Sequence, residues 1–149
     1  ISYWAAELPN ARTVLAGFLK ELRARRVVDA VYAPLRTAGG GVAPALVRQV
    51  ELLDDADPLA PVMLINGARA VSALTMGDGR ERIAAVLRPC EMRALIELVK
   101  LKQANLDHLL LIGLDCAGTY EVGDYAHAVQ AGHAQLGERM LVPQGELLQ

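Results

Sequence analysis

Two short apolar runs, residues 82–87 and 108–114, enclose a stretch with helical spacing at residues 89–103. This strand–helix–strand order constrains the fold more than any other feature of the chain. Parallel strands joined this way need a crossover helix, and the crossover is right-handed in nearly all cases. The helix is well marked. Pro89 stands at its first turn, where a missing N–H breaks no bond. Met92, Leu95, Ile96 and Val99 fall on one face. Glu97 is spaced to pair with Arg93 and Lys100, each pair contributing about 0.2–0.5 kcal/mol. The run 108–114 is apolar at nearly every position, as expected of a strand buried on both faces of a parallel sheet.

The rest of the chain repeats the alternation. Asn10 is a candidate N-cap for a helix at 10–26, where Val14, Leu15, Phe18, Leu19 and Leu22 recur at helical spacing. Residues 27–33 and 61–65 read as strands, and residues 68–75 as a short helix. Residues 43–53 read as a helix with Pro44 in its first turn. A helix at 124–136 and a short strand at 139–142 complete the pattern. Gly39-Gly40-Gly41 reads as a surface loop, residues 54–61 as a polar connector, and Gly77-Asp78-Gly79 as a turn. The expectation is an α/β fold, a three-layer sandwich whose mainly parallel sheet of about four or five strands is flanked by helices. The 149 residues are expected to form a single domain.

Composition narrows the function classes. Hydrophobic residues make up 53% of the chain and charged residues 21%, the reverse of the disordered signature. Acidic residues outnumber basic ones, 17 to 15, and six residues are aromatic, so neither a phosphate-attracting field nor base stacking is expected. No nucleic-acid partner follows. The longest apolar run, 108–114, falls far short of the roughly 20 residues that span a bilayer. Two cysteines are too few for a disulfide scaffold and suit a reducing cytoplasm. The chain opens on Ile1 without a signal-like segment, and the expectation is a cytoplasmic fragment of a longer protein.

In parallel sheets ligands bind beyond the carboxyl ends of the strands. Two such ends carry reactive residues. Residues 82–87 are followed by Arg88-Pro89-Cys90-Glu91, and residues 108–114 by Asp115-Cys116-Ala117-Gly118-Thr119-Tyr120. Cys90 falls in the first turn of a helix, where free N–H groups and the dipole favour a thiolate. Arg88 adds positive charge. Such a thiolate could be a nucleophile, a redox thiol or an iron ligand; equally, free cysteines often just fill a core. Two thiols cannot complete an iron–sulfur cluster, which normally takes four.

Other candidates are weaker. The glycine triplet lacks the spacing of a dinucleotide or P-loop fingerprint. His127 and His133 are not at metal-ligand spacing on a helix, and His108 only precedes a strand. Asp54, Asp55 and Asp57 lack the pattern of a calcium loop.

At the two strand ends the chain resembles the beta-subunit family of coenzyme F-420 hydrogenases and dehydrogenases, in its formate dehydrogenase branch. The resemblance rests on VLRPCEMRALIELVKLK at 86–102 and LIGLDCAGTYE at 111–121. Weaker likeness covers VVDAVYAP at 27–34 and DPLAPVMLINGARAVSALT at 57–75. It implies an electron-transfer subunit of a flavin and iron–sulfur oxidoreductase. FAD and a [4Fe–4S] cluster are implied for the full-length protein, with coenzyme F-420 as a possible hydride partner. Implied partners are redox subunits of hydrogenase, formate dehydrogenase or heterodisulfide reductase type. The implied cofactor-binding positions are Arg88, Pro89, Cys90, Glu91, Asp115, Cys116, Gly118 and Thr119. Cys90 is the implied catalytic thiol, and Cys90 and Cys116 are implied metal ligands whose companions lie outside the fragment. The family's ferredoxin-like cysteine cluster and its Ser-Gly-Gly segment have no counterpart in this chain. The competing reading is a non-catalytic docking module that binds no cofactor, with both cysteines buried. A thiol enzyme using Cys90 as nucleophile has no base linked to it in sequence.

Overall fold

A computed structural model describes residues 10–77, 80–116 and 118–132. Four strands form one sheet: β1 (Ala30–Arg36), β2 (Val42–Val47), β3 (Ile83–Leu87) and β4 (Leu109–Gly113), in the order β2-β1-β3-β4. β1–β3 and β3–β4 are parallel; β1–β2 is antiparallel. Helix α1 (Ala11–Ala24) and a 3-10 helix (Val50–Asp55) cover one face. Helices α2 (Gly67–Thr75) and α3 (Pro89–Lys100) cover the other. The chain is therefore an α/β fold in three layers, with a mostly parallel sheet.

The period of two in β1 builds both cores. Val31 and Ala33 pack with Leu15, Leu19 and Leu53 on the α1 side. Ala30 and Tyr32 pack with Val71 and Leu95 on the α2/α3 side. β3 is buried at all five positions, because it lies between two strands and two helical layers. Burying a Leu or Val side chain contributes about 1.5–3 kcal/mol, so these two clusters are the main stabilising term.

The crossover unit forms where expected. So do α1, α2 and a fourth helix, α4 (Val122–Gln130). Asn10 occupies the N-cap position of α1, although its side chain makes no cap hydrogen bond. Lys100 donates to Glu97 at 2.7 Å. The strand expected at 139–142, the end of the helix expected at 124–136, and Asp78 and Gly79 of the expected turn lie outside the described residues.

Three expectations are corrected. Residues 43–53 do not form a helix; they supply β2 and then the 3-10 helix. The glycine triplet closes a hairpin in which β2 pairs with β1. Thr37 N–H donates to Gly41 O (2.8 Å), Gly40 N–H donates to Thr37 O (2.9 Å), and Gly40 adopts φ +82°. β2 is an edge strand, so Pro44 loses no ladder bond there.

Residues 61–65 are not a strand. Pro61 has no N–H to offer a ladder, and the neighbouring carbonyls of Ala60 and Val62 are taken by a side chain. β4, in turn, is not buried on both faces. Among the described residues it is the sheet's outer strand, with no fully buried position and Leu110 exposed.

Candidate functional site

Pro34 shapes the carboxyl edge of the sheet. It sits in β1 opposite Pro44 of β2, and it has no N–H to give to the strand on its other side. The parallel ladder between β1 and β3 accordingly runs only from Ala30↔Ile83 to Tyr32↔Ala85. Beyond Tyr32 the two strands no longer pair. A cavity lies there, walled by Tyr32, Pro34, Val62, Leu64, Ile65 and Leu114, with Arg88 and Glu91 also in its wall. This is the place where parallel sheets take ligands.

Arg88 leaves the end of β3 as the N-cap of α3. Its side chain turns inward and is only 7% exposed. Nη2 donates to the carbonyls of Ala60 and Val62 (2.9 Å to the latter). Tyr120 N–H holds the same strip by donating to Pro61 O at 2.8 Å. Among the described residues Arg88 Nη1 is buried without a hydrogen-bond partner.

Glu91 is the third residue of α3 and is 8% exposed. Its carboxylate accepts from Arg88 N–H and from Gly67 N–H, both at 2.8 Å. The first bond is half of a capping box. The second reaches the first residue of α2. One carboxylate thus serves the amino ends of two helices, where both dipoles favour negative charge. Gly67 is required by this closeness: a Cβ there would stand 2.8 Å from Glu91 Oε1 and 2.8 Å from Leu87 Cδ2. Tyr32 feels the same carboxylate. Its phenol is pushed up to about 12, first by burial and second by the charge of Glu91.

The thiols lie elsewhere. Pro89 is the first residue of α3, and Cys90 after it is exposed. Cys116 is also exposed, in the loop after β4, and its Sγ–H donates to Gly118 O (3.8 Å). Gly118 adopts φ +129°, which a side chain would disfavour. Asp115 and Thr119 are exposed in the same loop. The two motifs share an edge because β3 and β4 pair from Ile83↔Leu109 to Leu87↔Gly113. The structure brings Arg88 and Glu91 together in the cavity wall and leaves Cys90, Asp115, Cys116 and Thr119 at the surface. The buried thiols expected of the docking module are not found. Among the described residues no three His, Cys, Asp or Glu side chains are grouped to hold a metal ion. No helix among them is long and apolar enough to cross a membrane.

Sequence reasoning missed Tyr32, Pro34, Gly67 and the carbonyls of Ala60 and Val62. Backbone carbonyls leave no residue signal. Pro34, directly after the strand expected at 27–33, was a readable sign that pairing stops there.

No family profile matches the chain. Curated relatives do. It is 34% identical over 118 residues to the F420-dependent formate dehydrogenase subunit beta of Methanocaldococcus jannaschii, covering 76% of this chain and 29% of that protein. It is 53% identical over 38 residues to the F420-dependent formate dehydrogenase 1 subunit beta of Methanococcus maripaludis, covering 26% of this chain and 10% of that protein. The chain thus spans less than a third of the length of the relatives it matches.

Proposed function

The chain belongs, as a small part of the full length, to the coenzyme F-420 hydrogenase/dehydrogenase beta subunit family, and from that we propose that it is part of an electron-transfer subunit of an oxidoreductase of formate dehydrogenase type. The observation that carries the proposal is the placement of both matching motifs at the carboxyl edge of a parallel sheet, beside a cavity whose wall holds an unpartnered buried donor. In this reading the 149 residues act as one α/β unit. Its partners are other redox subunits, of formate dehydrogenase, hydrogenase or heterodisulfide reductase type.

The cavity at the edge between β1 and β3, about 30 Å³, is far smaller than the roughly 300–1,000 Å³ of a ligand pocket, so a flavin does not fit there within this chain alone and would need groups of the longer subunit. The cavity there is largely apolar, and Arg88 Nη1 is free to donate. When bound, a flavin such as FAD would supply one- and two-electron chemistry and a hydride route to the deazaflavin coenzyme F-420. This chain's residues would supply one side of the site. Arg88 and Glu91 form the inner wall, Pro89 starts the helix, and Asp115, Gly118 and Thr119 form the outer loop.

A four-iron cluster does not fit this chain alone, which offers two thiols where four are normally needed. Cys90 and Cys116 would be ligands only together with cysteines of the longer subunit. Their exposure suits either that role or a redox thiol at Cys90, and it weighs against a docking module with buried thiols.

The test is the visible spectrum of the complete subunit, purified and reconstituted without oxygen. A visible flavin band is expected. A spectrum with neither flavin nor iron absorbance overturns the reading.

A further inference from the structure

The two edges of the sheet are built differently. β2 carries Pro44 within it and Arg48 directly after it, and proline and charge are the devices that keep an edge strand from pairing further. β4, at the other edge, reads Leu-Leu-Leu-Ile-Gly, with neither a proline nor a charge. Side chains on both of its faces are apolar, the composition of a strand inside a parallel sheet. Yet among the described residues β4 pairs with β3 alone, and Leu110 is 38% exposed.

The ladder shows which backbone groups face outward. Ile83 N–H donates to His108 O (2.9 Å), and Leu114 N–H donates to Leu87 O (3.0 Å). Alternate residues of a strand turn their backbone groups to opposite sides, so residues 108, 110, 112 and 114 face β3. Leu109, Leu111 and Gly113 therefore face the open edge. Leu109 N–H donates to Leu106 O at 3.0 Å, which closes that end of the strand. The N–H groups of Leu111 and Gly113, with the carbonyls beside them, form an open row. Such a row on a flat, apolar strand is a template for another strand.

We propose that β4 is an interior strand of the complete protein, and that a further strand of the longer subunit pairs along its open edge. The chain spans less than a third of the length of the relatives it matches, so the complete subunit has ample chain to supply that strand. A second copy of this chain suits the edge less well. Asp107 and Asp115 flank β4, and two antiparallel copies centred on Leu111 would set Asp107 of one against Asp115 of the other at both ends. Like charges directly opposite are destabilising. The strand that suits this edge is aliphatic and carries Lys or Arg at its ends. In either direction, one of its ends stands beside the loop of Asp115, Cys116 and Thr119, so the longer subunit would bring further groups to the exposed thiol there. The inference rests on family membership and is independent of the electron-transfer reading.

The test is residue-resolved hydrogen exchange on the complete subunit at graded concentrations. The amides of Leu111 and Gly113 should exchange at least about 100-fold more slowly than unbonded amides, at every concentration. Leu111→Pro removes one outward N–H and no bond to β3, a change tolerated at a free edge and costly between two strands. It should lower the melting temperature of the complete subunit further than Leu111→Ala, which keeps the N–H. Exchange of both amides at the unbonded rate overturns the proposal. So does a melting temperature for Leu111→Pro no lower than that for Leu111→Ala. If Leu111→Pro does not fold, exchange in the unaltered subunit decides. Protection that appears only as the subunit dimerises, or only when another subunit is added, overturns the choice of occupant. The electron-transfer reading stands or falls separately, with the visible spectrum.

Discussion

The four residues Arg88-Pro89-Cys90-Glu91 are contiguous in sequence and part company in the structure. Arg88 and Glu91 turn into the molecule, between β1 and β3, and are nine-tenths buried. Cys90 turns out to solvent, on the same side of the sheet edge as exposed Cys116 beyond β4. The helix explains the split. Arg88 and Glu91 are three apart and so share a face at the start of α3, whereas Cys90 between them points away. The inner region is densely hydrogen-bonded: one carboxylate, two helix ends, and a cation on two carbonyls. The outer region carries reactive groups with little holding them. A motif of this kind therefore does two jobs, building a wall with its ends and presenting a thiol with its middle.

The contrast is tested first where it predicts the greatest loss. Glu91→Ala strips Gly67 N–H and Arg88 N–H of their acceptor at once. Charge-assisted bonds contribute about 1.5–3 kcal/mol each, and the orphaned donors add to the cost. A loss of about 3–5 kcal/mol is expected, lowering the melting temperature by roughly 10 °C or more at this chain length. A loss below about 1 kcal/mol would mean that the inner region is no more built than the outer one. Gly67→Ala comes next. The new Cβ must push against Glu91 Oε1 and the buried Leu87 side chain, both at 2.8 Å. Overpacking of this kind costs about 1–3 kcal/mol, read as a shift in the denaturation midpoint with the slope unchanged.

The inner region was also the harder one to read in advance. The β–α–β unit was legible because two short apolar runs, 82–87 and 108–114, flank a single helical period at 89–103. The positions of both cysteines at strand ends followed from it. The hairpin was not legible, because Val42 to Val47 has as much helical as strand character once Pro44 is excused as a first-turn proline. Its true cause is the pairing with β1, a non-local effect that overrides local preference. The inward turn of Arg88 was hidden for a related reason. Its partners are backbone carbonyls 26 and 28 residues earlier, and no side chain announces them. The exposure of β4 depends on its being the last strand in the sheet, which strand composition alone does not encode.

A third comparison sets Tyr32 of the inner region against Asp29 at the opposite, amino end of the strands. Tyr32 ionises in the folded chain at about 12, above the ordinary value of 10.0, because of burial and then Glu91. The unfolded chain loses this proton first. The stability it contributes is present below pH 10 and is lost as pH rises from about 10 to about 12. Asp29 is the mirror case. Hydrogen bonds from the Arg82 side chain and backbone hold its carboxyl down at about 2, from 3.8. Its contribution is present above pH 4 and fades as pH falls towards about 2. Tyr32→Phe should flatten the alkaline limb of a stability–pH curve and Asp29→Asn the acid limb. Asp29 lies at the surface with its side chain 43% exposed, so its effect should be the weaker and should shrink further in high salt. An alkaline limb unchanged in Tyr32→Phe would separate Tyr32 from the field of Glu91.

The smallest effect on folding belongs to the thiols, and that smallness carries the functional argument. Cys90→Ser and Cys116→Ser replace exposed side chains, so each should change stability by about 0.5 kcal/mol or less. Cys116 gives up only a weak Sγ–H contact to Gly118 O. Alkylation gives the complementary readout: in the folded chain both thiols should react at rates within about tenfold of those in denaturant, since exposure sets their access. If Cys90→Ser costs several kcal/mol, or if Cys90 is protected from alkylation, the thiol belongs to the wall and the division of the motif fails. If the expected result holds, the cost of keeping a cysteine at that position is not repaid in folding. In the redox-subunit reading proposed above, the thiol then acts at the surface and not through the core of this domain.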